Sequence, residues 1–314
     1  MAYTTTTTLD DQVKTAFDQT AYFALRSQPL FEMIADVRST AQSHNGSGVQ
    51  FTFYADMAQA TSALTEATDV TAVALTDSAV TVTLAEYGNA VITTAKVRGT
   101  SFLNVDADAA NIVGYNMADS LDKIVSDIAN AGTNVSYSGG AANRGAITTG
   151  DEYTAADGRK AVAQLRTRNA PGWENGNYMA IIHPDVSYDL RSDTTVTDVI
   201  QYQLYQDGAP VRAGSIGTFN GINYIENPRA GLIVDGGLST VDVYQTLICG
   251  RQALAKAFSR APGFGQEPSI VVGPVTDTLR RFNPIGWYHL VGYGVFRQAC
   301  MQRVESMSSI GANT

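Results

Sequence analysis

Histidines are the residues of this chain best suited to acid–base catalysis or metal binding, and there are three: His44, His183 and His289. None has another His or Cys at the spacing that a metal site needs. The sequence also contains no nucleophile elbow, zinc-protease helix motif, phosphate-binding loop or calcium loop. It therefore gives no positive support for an enzyme, and we predict no catalytic, metal-binding or cofactor-binding residue.

Charged residues that lie close together in the sequence have simpler explanations than catalysis. The stretch "DADAAN" opens a predicted helix, where acids are favourable, so we interpret Asp106 or Asp108 as the helix cap. Arg280 and Arg281 could contact nucleic acid, but pairing with carboxylates on a strand edge or on a neighbouring molecule is the favoured interpretation.

The cysteines and the N-terminus indicate the compartment. Cys249 and Cys300 form no CxxC motif and lie in apolar, strand-like surroundings, which predicts core packing. The N-terminal "MAYTTTTTLDD" has no basic-then-apolar signal, and no run approaches the roughly 18 apolar residues of a membrane span. We expect a protein made and kept in a cytoplasm-like compartment.

The charge of the chain is low in amount and uneven in distribution. Of 314 residues 16% are charged, against roughly 25% in an average domain. Because charge usually covers solvated surface, this predicts extensive contacts with other chains; a monomer coated with Thr and Ser is the alternative. The net charge is −9, with 15 acidic and 7 basic residues in positions 1–150. An acidic protein is a poor general nucleic-acid binder.

The region from 48 to 92 has the pattern of a long β-arm. "VQFTF" (49–53) and "VTVTL" (80–84) alternate as half-buried strands do. Residues 57–79 are too many for an ordinary hairpin connection and include no Lys, Arg, Pro or Gly. "VTAVAL" (70–75) and the strand at 80–84 predict an inner hairpin. Such an arm must lie on its own body or on a neighbour.

The clearest helix is predicted over 106–131, from apolar residues at spacings of three and four. Gly132 is expected to end it. Gly114 lies inside it, which we interpret as a sign of close packing. Before the arm, "LFEMIADVR" predicts a helix with Phe31 and Ile34 on its apolar face.

A mixed α and β region follows the long helix. Thr154 and Asp157 form a predicted capping box for a helix that ends near Arg168. Residues 178–182 predict a strand, followed by a Pro-marked turn and a short helix. The stretch "RQALAKAFSR" fits either a helix or a strand, and the rest of the C-terminal region alternates as strands do.

The order of these parts resembles the major capsid proteins of tailed bacteriophages, whose fold is named after phage Hong Kong 97. The stretches that carry the resemblance extend over nearly the whole chain: "LFEMIADVR", "VQFTFYADM", "VTLAEYGNAV", "GRQALAKA" and "VVGPVTDTLRRFNPIGWYHLVGYGVFR". The resemblance implies an α+β fold with an N-terminal arm (1–47), an extended β-hairpin loop (48–92), a peripheral domain (93–151 and 249–314) with a spine helix (106–131), and an axial domain (152–248).

The resemblance also implies a structural protein that assembles into an icosahedral head shell around the phage genome. In this fold the extended loop lies across a neighbouring subunit, and its acidic side chains could face the mildly basic C-terminal region next door. The candidate contacts between subunits are Phe31, Ile34, Met57, Leu64, Glu66, Asp69, Val73, Leu75, Asp77, Arg280 and Arg281.

The implied partners are other copies of the chain in hexamers and pentamers. We also expect a separate scaffolding protein, since the arm starts at Met1 and leaves no room for an N-terminal scaffolding segment. A portal, a possible decoration protein and DNA in loose contact complete the expected partners, with no membrane. Some relatives join the loop to a neighbour by a Lys–Asn isopeptide bond, but residues 49–91 contain no Lys. The expected location is the virion capsid, after synthesis and assembly in the cytoplasm of the bacterial host.

Two alternatives stay open on the sequence alone. A bacterial nanocompartment shell protein shares the fold and encloses a cargo enzyme instead of DNA. A cytoplasmic enzyme with an unrecognised site would be a discrete monomer or small oligomer with a deep pocket of titratable groups.

Overall fold

The computed structural model describes residues 26–39, 47–101, 103–193, 216–259, 265–273 and 277–310. The described helices are α1 (Ala95–Thr100), α2 (Val105–Asn130), α3 (Ala155–Thr167) and α4 (Pro184–Ser192). The described strands are β1 (Ala35–Ser39), β2 (Gly48–Tyr54), β3 (Asp77–Thr83), β4 (Ala85–Thr94), β5 (Val135–Tyr137), β6 (Tyr178–Ile182), β7 (Gly217–Phe219), β8 (Ile222–Glu226), β9 (Gly231–Ile233), β10 (Val243–Cys249), β11 (Leu254–Phe258), β12 (Ser269–Val272), β13 (Phe282–Val295) and β14 (Met301–Ser306).

The chain divides into two compact units. Of the described residues, the larger comprises 27–39, 47–88, 117–193, 216–259, 265–269 and 288–310, and its main sheet has the strand order β5-β14-β10-β6-β8-β7, with β9 also paired to β10. Strand β10 is buried along its whole length, which makes it the centre of the core. Both cysteines lie in this core, as the sequence predicted.

A second sheet of the larger unit contains β1, β11 and the second part of β13. β1 is parallel to β11, and β11 is antiparallel to β13, with Lys256 opposite Tyr293. The ambiguous stretch "RQALAKAFSR" is therefore a strand. Its side chains from Leu254 to Phe258 are all buried, so no alternation of apolar and polar residues marks it as one.

The smaller unit comprises Arg26, residues 89–116 and residues 270–287 of the described chain. The first part of β13 pairs there with β12 and with β4. Thr94 caps α1 by accepting a hydrogen bond from the Val97 N–H.

Helix α2 confirms the predicted long helix but corrects two of its details. Its first turn is closed by Asn104, whose Oδ1 accepts from the Ala107 N–H at 3.4 Å, and Asp106 accepts from Thr93 Oγ1 instead. Gly114 is not a close-packing site, since an added Cβ would meet nothing within 4 Å among the described residues. Gly132 is a close-packing site instead, because an added Cβ there would overlap Cε of Met301.

Of the other predicted helices, strands and turns, some are confirmed by the structure and others are wrong. The capping box of Thr154 and Asp157 is present, and the strand predicted at 178–182 is β6. The inner hairpin is wrong, because β3 pairs with β2 and residues 70–75 form no strand. "LFEMIADVR" forms a 3-10 turn (Phe31–Ile34) and then β1, rather than a helix. Most of the predicted N-terminal arm lies outside the described residues.

Candidate assembly interface

The base of the β-arm packs against its own chain. Phe51 is 1% exposed and Val82 is 3% exposed, and both lie in one apolar cluster with Ala255, Ala257 and Phe296. The rings of Phe51 and Phe296 are 5.2 Å apart between centroids, in a tilted arrangement. The alternation that predicted β2 and β3 thus marks the face that covers β11 and the end of β13.

A glycine lets the arm approach this closely. An added Cβ at Gly292 would stand 2.3 Å from the Thr83 carbonyl oxygen, which is backbone and cannot move aside cheaply. The stretch "GYG" at 292–294 of β13 is therefore where the end of β3 lies close against the sheet.

Beyond Tyr54 and Asp77 the arm has no support from the described residues. We call residues 55–76 the distal loop; every residue in it is exposed. After the bond from the Ala55 N–H to the Thr76 carbonyl, the only backbone bond described in the loop is a local one, from the Thr68 N–H to the Thr65 carbonyl. The large apolar side chains are 60–77% exposed: Met57, Leu64, Val70, Val73 and Leu75. An exposed apolar surface of this kind is typical of an interaction site.

The charge of the distal loop has one sign. Its ionisable residues are Asp56, Glu66 and Asp69, and Asp77 follows directly. Asp69 accepts a hydrogen bond from the N–H of Val70, next to it in the chain. A partner surface for this loop should accordingly be apolar with a positive contribution.

The structure places the predicted contact residues in three groups. Phe31 and Ile34 are each 1% exposed inside their own core, so they offer no surface to a neighbour, and this part of the prediction is corrected. Arg280 and Arg281 are exposed, and Arg281 pairs with Asp277 of the same chain at 2.5 Å. The remaining predicted residues are exposed in or next to the distal loop: Met57, Leu64, Glu66, Asp69, Val73, Leu75 and Asp77.

A second apolar surface, in the smaller unit, was not predicted from the sequence. Ile270, Val271 and Val272 of β12 are 53%, 42% and 66% exposed. Leu279, in the turn that leads to β13, is 71% exposed. The run "SIVV" was visible in the sequence, but an apolar run indicates a strand without telling whether its faces are covered.

Three titratable side chains of the larger unit, which line one cavity, are held by partners within the unit. A cavity of about 520 Å³ is lined by Glu32, Asp122 and Lys256, among others. Glu32 forms an ion pair with Lys256 and accepts from Tyr293 Oη at 2.9 Å. Asp122 Oδ1 accepts from the Phe31 N–H at 2.6 Å, and burial raises the pKa of this carboxyl. The bond from Phe31 to Asp122 holds the turn at Phe31 in place.

A second charged centre joins the loop at 144 to the central sheet. Glu305 is fully buried and accepts two hydrogen bonds from Arg144, at 2.9 and 2.6 Å. Gln245 and Arg303 also donate to it. Burial alone would raise the pKa of Glu305, but these donors lower it below the usual range.

The histidines lie apart. His183 caps α4 through Nδ1, and His289 is 2% exposed in β13; His44 lies outside the described residues. Within the described residues, no group of three or more His, Cys, Asp and Glu side chains is placed to hold a metal. None of the described helices is both long and apolar enough to cross a membrane.

Comparison with known proteins decides the family. A family model described as phage capsid protein matches residues 6–308. The chain belongs to the phage capsid protein family. No match is found among curated proteins.

Solved phage capsids share the fold of this capsid protein at low sequence identity. The capsid of Ralstonia phage GP4 is 12% identical and superposes with a TM-score of 0.74, over 96% of this chain and 97% of that chain. The capsid of cyanophage P-SCSP1u is 17% identical, with a TM-score of 0.73 over 96% and 95%. The head of Helicobacter pylori bacteriophage KHP40 is 13% identical, with a TM-score of 0.74 over 98% of both chains.

These matches fix the fold class and the role. The fold is the mixed helix-and-sheet Hong Kong 97 type that the sequence resembled. The capsid protein is a structural component of a phage head shell, and the nanocompartment alternative is not favoured.

Proposed function

We propose that copies of this capsid protein associate through the distal loop, which packs on a neighbouring copy, to build an icosahedral shell of hexamers and pentamers around the phage genome. The observation that carries this is the contrast along one arm. Phe51 at the base is 1% exposed, whereas Leu64 in the loop is 77% exposed. The apolar area of the loop contributes to association at about 25 cal/mol per Å² once it is buried, less the cost of ordering the loop.

The proposal gives the acidic charge of the loop a role. A loop with three carboxylates and no cation is steered towards the positive part of a neighbour and away from the loops of other copies. The same acidic character leaves few contacts to phosphate, so we propose that packaged DNA is held loosely. Tight DNA binding by isolated subunits at moderate salt would contradict this point.

Loop excision tests the proposal. In the test variant an Asn-Gly turn replaces residues 55–76 and closes the β2–β3 hairpin after Tyr54 and before Asp77. We expect native circular dichroism and thermal stability but no shells in sedimentation velocity or electron microscopy. A control variant keeps the loop length and exchanges only Thr61 and Thr65 for Ser. Shells formed by the excised variant as readily as by the parent would refute the proposal.

Other partners remain predictions. We propose a separate scaffolding protein and a portal, with assembly in the host cytoplasm and residence in the virion. No Lys–Asn cross-link should start from this loop, since residues 49–91 contain no Lys. Boiled shells should therefore run as single chains on a denaturing gel, and a covalent ladder linked through the loop would contradict this.

A further inference from the structure

Strand β12 is an edge strand of the sheet that the described residues form. It stands at the end of its sheet, and no described strand pairs with its outer side. Ile270, Val271 and Val272 are exposed on both faces of the strand. Soluble proteins normally protect such an edge with charges, a bulge or a covering element, because it pairs readily with another chain.

The backbone shows which groups of β12 point outwards. The Gly273 N–H donates to the Pro284 carbonyl of β13 at 3.0 Å. The N–H and C=O of one residue point to the same side of a strand, and successive residues alternate. Val271 therefore faces β13, while Ile270 and Val272 direct their N–H and C=O groups away from the sheet.

A complementary segment exists in the distal loop. Residues 70–75, "VTAVAL", have strand-forming composition, yet they form no strand and all are exposed. Val73 and Leu75 lie two residues apart, so an extended backbone places both on one face. Two acids flank the segment, Asp69 and Asp77.

One exposed cation near β12 is opposite in charge to these acids. Arg280, in the turn between β12 and β13, is exposed, and its described contact is a backbone bond from its N–H to Asp277. Addition of a strand would supply main-chain hydrogen bonds as well as burial of the apolar side chains on both segments.

We propose that residues 70–75 of one copy add as a further strand to the outer edge of β12 of a neighbouring copy. This inference rests on the proposed function, since it names the surface that receives the distal loop. Its two components are main-chain pairing to Ile270 and Val272, and burial of Val73 or Leu75 against the apolar side chains of β12.

Cross-linking between two single-cysteine variants tests the contact. Val73→Cys and Val271→Cys are made in separate chains, mixed, assembled and treated with a short bis-maleimide, which tolerates a range of registers. The native Cys249 and Cys300 are buried at 1% and 2% exposure. We expect a heterodimer band from shells and not from unassembled chains. A control pairs Val73→Cys with Leu232→Cys, an exposed apolar site in the larger unit. Absence of the first band, or equal bands in both mixtures, would overturn the inference.

Backbone pairing is tested by Val272→Pro against Val272→Thr. Proline removes the outward N–H and is tolerated on an edge strand, whereas threonine keeps the N–H and the β-branch. We expect at least a tenfold loss of assembly rate for Val272→Pro with unchanged thermal stability, and near-parent assembly for Val272→Thr. Normal assembly of Val272→Pro, while the loop-excised variant fails to assemble, would overturn the strand pairing and leave the proposed function standing. Assembly of the loop-excised variant would overturn both.

Discussion

Tyr54 and Asp77 are the last residue pair of the β2–β3 ladder, and the bond from the Ala55 N–H to the Thr76 carbonyl, at 3.0 Å, closes it. On one side of this pair the arm is part of the core of its own chain. On the other side it has no described support. Stability of the subunit and association of subunits should therefore respond to different residues of the same arm.

Loop residues should affect association alone. In the double variant Val73→Ser with Leu75→Ser, two side chains that are 69% and 70% exposed lose their apolar character. We expect the free energy of unfolding to change by less than about 0.5 kcal/mol. The protein concentration needed for shell formation should rise at least tenfold, as light scattering would measure. The matched control is Thr71→Ser with Ala74→Ser, which should leave both quantities near the parent values. An equal effect of both pairs would contradict the prediction.

Base residues should affect the subunit itself. Phe51→Ala removes a buried ring that packs on Phe296, and we expect a loss of about 3–5 kcal/mol in the free energy of unfolding. Urea unfolding of the unassembled chain measures it. Leu64→Ala, at an exposed position of the same arm, is the control and should cost almost nothing. A small loss for Phe51→Ala would mean that the arm is not anchored as described.

Replacing only one partner of the Glu32–Lys256 ion pair should lower the free energy of unfolding. Lys256 is 6% exposed, so Glu32→Gln removes the carboxylate that pairs with its buried ammonium group. We expect a loss of about 3 kcal/mol in the free energy of unfolding. Adding Lys256→Met should recover most of this loss. If the double variant is no more stable than Glu32→Gln alone, the buried charge is not the cause.

His289 should make stability depend on pH. Burial, with Lys256 nearby, lowers the pKa of His289 to about 4, from about 6.5 in an unfolded chain. The unfolded chain therefore binds more protons between these values. The stability due to a neutral His289 is complete above pH 6.5 and is lost as the pH falls towards 4, by about 3 kcal/mol in total.

The test of His289 is a pair of pH titrations of stability. His289→Leu should flatten the pH dependence between 6.5 and 4 relative to the parent. The difference between the two proteins should therefore change with pH in this window and stay constant above it. Parallel curves throughout would contradict the prediction.

Local patterns predicted those elements whose cause is local. The capping box at Thr154 and the helix α2 follow from side chains within a few residues of each other. Strand β3 was also predicted, but its partner was wrong, because alternation defines a buried face and not the strand that covers it. In the structure β3 pairs with β2, with Val80 opposite Phe51, and the distal loop connects the two strands.

The errors at the candidate interface have the same physical origin. Phe31 and Ile34 are apolar, and the sequence does not tell whether an apolar residue is covered by its own chain or by another. Here the bond from the Phe31 N–H to Asp122, 91 positions away, holds them inside. The β12 edge was missed because exposure of a strand depends on the sheet around it.

Cryo-electron microscopy of purified shells tests the central claim most directly. The measurement is the position of residues 55–76 in the density between adjacent subunits. We predict that Leu64, Val73 and Leu75 are buried against a neighbouring copy in every hexamer. A loop folded back on its own chain, or one that stays in solvent in a closed shell, would contradict the account.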